Sequence, residues 1–205
     1  MSIVRPKGLL VGAASISADL GEVSNIAKHI SIGVKNAKAI AARAGDQARG
    51  FQPITDFINE MAMEIIRLVG AIDRAALNVT RMATTHSRSI DVYDRVNQVL
   101  CTNQEIRYKH HLKNVVYELE ADVESKRRAL RLQARELDFL LSEIMQKVKA
   151  AQVIASSSRV EAARAIDYRM NLEGVAENLE LETNKIKERV HRCQERLRTV
   201  IGTLE

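Results

Sequence analysis

The feature that most constrains this chain is a set of apolar seams in which the spacing alternates between three and four residues. The first runs from Leu20 through Val23, Ala27, Ile30, Val34, Ala37 and Ala41 to Ala44. The second runs from Ile54 through Ile58, Met61, Ile65, Leu68, Ile72, Ala75, Val79 and Met82. Its phase then carries His86, Ser89, Tyr93, Val96 and Leu100. The third passes Leu112, Val116, Leu119, Val123, Lys126, Leu130, Gln133, Leu137, Leu140, Ile144, Val148, Ala151 and Ala155. The fourth passes Leu172, Ala176, Leu179, Thr183, Ile186, Val190, Cys193, Leu197, Val200 and Leu204. Such a period puts every seam residue on one stripe of a helix and none on one face of a strand. Sustained this long, it predicts helices packed knobs-into-holes at small crossing angles. The polar seam positions lower stability, and residues of that kind fix register or oligomeric state.

Breaks in the seams divide the chain. Gly45 and Gly50, with Pro53 just beyond, mark one turn, because glycine closes a helix in the left-handed region and proline suits a first helical turn. Thr102 and Glu105 have the spacing of a capping box. Residues 166–171 lack a seam and contain Asn171, a third turn signal. The expected helices are 14–45, 53–100, 103–165 and 172–203. The expected organisation is a tail over 1–13, a first hairpin over 14–101 and a second over 102–205. The fold class is all-α: an elongated antiparallel four-helix coiled-coil bundle made of two long hairpins.

Composition supports this. Among 205 residues there are 9 Gly, 2 Pro, 3 Phe, 4 Tyr and no Trp, which suits long helices with thin aliphatic seams. The 31 basic and 26 acidic residues are well mixed, and basic and aromatic residues do not interleave. That reads as a solvated helix surface, with no nucleic-acid patch. Cys101 and Cys193 form no disulfide framework and fit a reducing compartment. Cys193 lies on a seam and reads as a small core hydrophobe. LLVGAAS (9–15) follows Arg5 and Lys7, a loose imitation of a signal peptide, but leads straight into a polar helical pattern. No stretch reaches the ~20 apolar residues that span a membrane. A cytoplasmic location without membrane insertion is expected.

One tetrapeptide, AARA, occurs twice and is followed each time by an Asp two residues on (Asp46, Asp167). The copies lie 121 residues apart, Ala41 to Ala162, each where a helix reaches a turn. The capping-box turn lies almost midway between them. At 1.5 Å per residue a run of ~50 helical residues spans ~75 Å, so a chain that goes out, turns and returns brings both AARA turns to the same end.

The segment IAKHISIGVKNAKAIAARAGDQARGF (26–51) resembles the cytoplasmic tip of bacterial chemoreceptors, the methyl-accepting chemotaxis proteins. Ile26, Ala27, Ile32, Asn36, Ala37, Ala41, Ala42, Arg43, Ala44, Gly45, Gln47, Arg49, Gly50 and Phe51 match that tip without a gap. Asp46 stands for the family's Glu. In VIASSSRVEAARAIDYRMNLEGVAENL (153–179), Val160, Glu161, Ala162, Ala163, Arg164, Ala165, Val175 and Ala176 match, and Asp167 again replaces Glu. Departures are Ile40 for Glu, Gly33 and Lys35 for Leu, Pro53 for Val and Phe57 for Glu in the first copy. In the second copy they are Ile166 for Gly, Ser157 for Asn and Leu172 for Phe.

The resemblance implies an internal mimic of a receptor dimer, with one chain supplying both hairpins. It implies that the tip packs against other tips and docks the chemotaxis histidine kinase and its SH3-like coupling protein, without chemistry or cofactor. The tip residues it singles out are Ile32, Asn36, Ile40, Arg43, Asp46, Arg49, Phe51, Phe57, Glu161, Arg164, Asp167 and Leu172. Phe51 and Leu172 read first as hydrophobic plugs of the turns. Ile40 and Phe57, charged in the family, are expected to form an exposed apolar patch.

Elsewhere chemistry is sparse. His110 and His111 are adjacent and face different sides of a helix, a poor metal pair. His86 is in phase with a seam and reads as a polar core layer. No nucleophile–base pair, phosphate loop or enclosed carboxylate pair is visible, so no enzyme is expected. The alternative to a signalling module is a scaffold or self-assembling coiled coil, derived from a receptor hairpin with kinase control lost.

Overall fold

The computed structural model describes residues 7–102, 109–164 and 167–202. The described residues form four long helices and no strand: α1 (Lys7–Ala44), α2 (Phe51–Thr102), α3 (Lys109–Ala162) and α4 (Arg169–Gly202), with a 3₁₀ turn (Gly45–Ala48) between the first two. The chain is an all-α four-helix bundle of two hairpins. Three boundaries differ from expectation. α1 starts at Lys7, so part of the expected tail is helical. Thr102 is the last residue of α2 and its hydroxyl donates to the Gln98 carbonyl at 2.8 Å, so it does not cap α3. Glu105 lies outside the described residues. Asn171 belongs to the first turn of α4, because Arg169 already opens that helix.

The helices divide between two compact units. Unit 2 comprises Ser17–Asp73 and Phe139–Gln194. Within it α1 runs antiparallel to α2, tied by Ser17 to Asp73 at 2.7 Å, Ser31 to Asn59 at 2.9 Å and Lys38 to Asp56 at 2.7 Å. The α3 and α4 segments are likewise antiparallel, tied by Gln152 to Asn184 at 2.7 Å and Gln194 to Ser142 at 3.1 Å. Arg189 of α4 pairs with Asp19 at 3.6 Å and with Glu22 on α1. The interior is aliphatic: Leu20, Val23, Ile58, Ile65, Leu68, Ile72, Leu141, Ile144, Val148, Ile186 and Val190 are all buried. Its buried hydroxyls bond within the bundle. Thr183 donates to Leu179 at 2.8 Å and Ser158 to Ile154 at 2.8 Å, each to a carbonyl of its own helix.

The α3 seam corrects the sequence reading at two places. Leu141 and Ala134 are fully buried, whereas Leu140 and Gln133 are half-buried. Gln133 instead donates to Glu136 at 3.0 Å on the same helix, so its amide keeps a partner at the edge of the stripe.

The buried positions follow the repeat well beyond AARA. Leu20, Val23, Ala27, Ile30, Val34, Ala37 and Ala41 of α1 are buried, and so are Leu141, Ile144, Val148, Ala151, Ala155, Ser158 and Ala162 of α3, each 121 residues on. The same offset carries Phe51, Thr55, Ile58, Ala62, Ile65, Val69 and Ile72 of α2 onto Leu172, Ala176, Leu179, Thr183, Ile186, Val190 and Cys193 of α4. The two hairpins thus bury the same register, although few side chains are identical.

Unit 1 comprises Met1–Ile16, Arg74–Asp138 and Glu195–Glu205, and its described part is dominated by α2 and α3. Val79, Ala83 and Leu130 form a small core with Met82 against it. Next to them in sequence lies a polar layer. Ser89 donates to the Asp122 carboxylate at 2.9 Å, and Lys126 Nζ lies 2.7 Å from both the Ser89 hydroxyl and Asp122 Oδ2. His86 is 1% exposed, and neither ring nitrogen has a hydrogen-bond partner.

Candidate functional site

The tip lies in unit 2, where both AARA segments meet. Ala37, Ala41, Ala48, Phe51, Ala162 and Leu172 share one buried cluster, with Ile40, Ala44, Tyr168 and Val175 packed against it. Residues from both hairpins therefore close one end of this unit together, as the position of the repeat predicts. The first turn closes because Gly45 adopts φ +59°, where a side chain would be strained. Pro53 is the third residue of α2, where the helix has no carbonyl to offer its missing N–H.

Gly50 joins the two turns. A Cβ there would collide with the Glu161 carboxyl group, at 2.7 Å from its Cδ. The Glu161 carboxylate accepts from Arg164 Nη1 at 3.1 Å, so one turn's backbone rests against the other turn's ion pair.

The α1 residues singled out by sequence fall on one helix stripe. Ile32, Asn36, Ile40 and Arg43 are spaced by four, four and three, which keeps them within one arc of α1. Ile32 is 57% exposed, and Asn36 and Arg43 are also exposed. The repeat places an equivalent stripe on α3: Val153, Ser157, Glu161 and Arg164. Val153 is 66% exposed and Ser157 and Arg164 are exposed, while Glu161 is half-buried. Val153 was not among the sequence candidates, although the 121-residue offset from Ile32 points to it. Asp46, Arg49 and Asp167 are exposed at the turns.

Three of the tip residues lie against the tip core, two of them, Phe51 and Leu172, as their first reading as plugs has it. Phe51 and Leu172 are 1% and 0% exposed, so they plug the tip from inside and offer no surface to a partner. Ile40 is half-buried against the same cluster and does not form an exposed patch with Phe57, which is 41% exposed on α2. Ala165 and Ile166 lie outside the described residues.

A cavity of about 250 Å³ opens where Gly33 and Gly174 leave room between α1 and α4, over Ile30, Val34, Ile58 and Leu179. Asn36, Asn171, Asn178 and Glu182 give it a polar rim, and its lining holds no His, Cys or Ser. Among the described residues there is no group of three or more His, Cys, Asp or Glu able to hold a metal ion. No described helix is long and apolar enough to cross a membrane. Comparison with protein-family models, with curated proteins and with solved structures finds no match to this chain.

Proposed function

We propose that the chain is a cytoplasmic, non-enzymatic signalling module of chemoreceptor type. Its tip engages a chemotaxis histidine kinase and coupling protein, or the tips of receptors in an array. The observation that carries this reading is the doubled stripe. Two helices present an exposed aliphatic residue, a small polar residue and an exposed arginine at equivalent positions beside one shared, glycine-closed tip. An arginine on a rigid helix end, flanked by an exposed aliphatic, suits a protein surface with a carboxylate and an apolar pocket.

The test is co-sedimentation with the kinase and coupling protein, read together with kinase autophosphorylation. Saturable binding that falls at least about tenfold in an Arg43→Ala/Arg164→Ala double variant supports the reading. Binding that ignores both arginines sinks it. Phe51→Ala does not serve as a test, because it empties the tip core and confounds docking with folding.

A second reading rests on Ile40, which turns inward where the resemblance implies a charge. Under it the hairpin is a scaffold that keeps its bundle and has lost kinase control. Absence of binding at high micromolar concentration, with the bundle intact by circular dichroism, favours this alternative.

A further inference from the structure

Unit 1 holds residues 74–102 of α2 and 109–138 of α3, but only 7–16 of α1 and 195–202 of α4. At 1.5 Å per residue the latter two segments cover about 15 Å and about 12 Å of a helix pair about 43 Å long. Burial marks where cover ends. Val79, Ala83, Ile90, Val123 and Leu130 are buried, whereas Tyr93, Val96, Leu100, Leu112, Val116 and Leu119 are only half-buried.

The apolar stripe does not narrow where burial falls off. A two-stranded seam needs two apolar positions in seven, and a helix facing the core of a larger bundle carries a third. α2 keeps that third position: Val92 and Val99, seven residues apart, flank the seam and are 46% and 48% exposed. On α3, Val115 stands beside Leu112, Val116 and Leu119 and is 43% exposed. The stripe is thus as wide as that of a helix in a larger bundle, whereas among the described residues only α2 and α3 run along this stretch.

We propose that this stretch is a homodimer interface, in which the α2–α3 hairpin of unit 1 packs antiparallel on the same hairpin of a second copy. A wide aliphatic stripe on two antiparallel helices is complemented by a second pair of the same kind, and this hairpin is itself such a pair. A twofold axis lays the same patch on itself and closes the assembly. The stripe continues the buried core of unit 1, so the interface extends an existing seam. It is about 28 Å long and about 20 Å wide, a footprint of about 560 Å² per partner, close to the ~600 Å² at the low end of standard interfaces. None of this uses the tip residues, so it stands or falls apart from the proposed function.

Sedimentation equilibrium of the full chain, at concentrations up to about 100 µM, tests it. The expected result is a species of twice 22.9 kDa. Val92→Glu with Val99→Glu changes two exposed positions and weakens dimerisation at least about 100-fold with helicity unchanged. Ile32→Glu, on the tip, leaves the dimer intact. Should the double variant lose helicity, Val115→Glu replaces it and is read the same way. A wild-type monomer across this range overturns the proposal. So does a dimer that survives the valine variants, or one that Ile32→Glu dissociates.

Discussion

Unit 2 and unit 1 draw on the same four helices but close their interiors differently. In unit 2 the seam is hydrocarbon from Leu20 to Ala41 and from Leu141 to Ala155, and each buried hydroxyl named above has a partner. In unit 1 the same α2 and α3 give way to a polar layer and then to half-buried aliphatics. Heptad periodicity is equal in both, so periodicity alone does not set how well a seam is sealed. What packs around it does: a leucine enclosed on every side loses its water completely, and one with an open side stays partly wet.

The largest expected effect sharpens this contrast directly. At concentrations that keep the chain monomeric, Ile144→Ala, at a fully buried site of unit 2, costs about 2–5 kcal/mol, whereas Leu119→Ala in unit 1 costs below about 1 kcal/mol. Urea unfolding of both variants measures it, and equal losses would erase the distinction. Amide exchange gives the same ordering without mutation, with slower exchange at Ile144 than at Leu119.

His86 comes next. Burial holds its imidazole below the ordinary value of 6.5, and the nearby Arg127 guanidinium adds to the effect. The folded state therefore favours the neutral ring, while the unfolded state takes up a proton below about pH 6.5. Stability is complete above that value and falls as pH drops through it, by at most about 1.4 kcal/mol per pH unit for one proton. His86→Leu removes two unpaired buried nitrogens, raises the urea midpoint by an amount equivalent to about 1 kcal/mol and flattens this part of the pH profile. A His86→Leu protein that keeps the wild-type slope between pH 7.5 and 5.5 would assign the slope elsewhere.

Gly50→Ala has a smaller effect, about 0.5–1 kcal/mol, because the obstructing atoms are the mobile end of Glu161 and can move aside. The carboxylate then leaves Arg164, a change visible in the Arg164 side-chain NMR signal. A thermal midpoint lowered by much more would mean that the turn backbone itself had moved. Smallest of all is the response of Asp122, whose carboxyl is held below the ordinary 3.8 first by the Lys126 ammonium and then by the Ser89 hydroxyl. Its contribution is present above that value and is lost as pH falls below it. NMR titration should show Lys126→Met raising the Asp122 midpoint more than Ser89→Ala does, and the reverse order would contradict the assigned bonds.

Much of the tip was legible in the sequence. Two AARA copies 121 residues apart, each at a turn, foretold one shared end, and the Phe51 and Leu172 plugs followed from their place after the turns. Ile40 was not legible, because a residue near the edge of a stripe can face either way until its neighbour is known. Val153 was legible but missed, since identity matching passes over an Ile–Val pair that the offset aligns. His86 was read as a polar core layer, and its lack of any partner came only from the packed structure.

What the sequence determined by itself is the number of helices, their seams and the glycines that let the first hairpin turn, because these depend on spacing along one chain and on local backbone preference. Tertiary structure decided which of two adjacent leucines, Leu140 or Leu141, lies innermost, and where the core gives way to half-wet aliphatics. A helical stripe specifies an arc and not a point within it. Only the neighbouring helices, or their absence, choose the residue that loses its water.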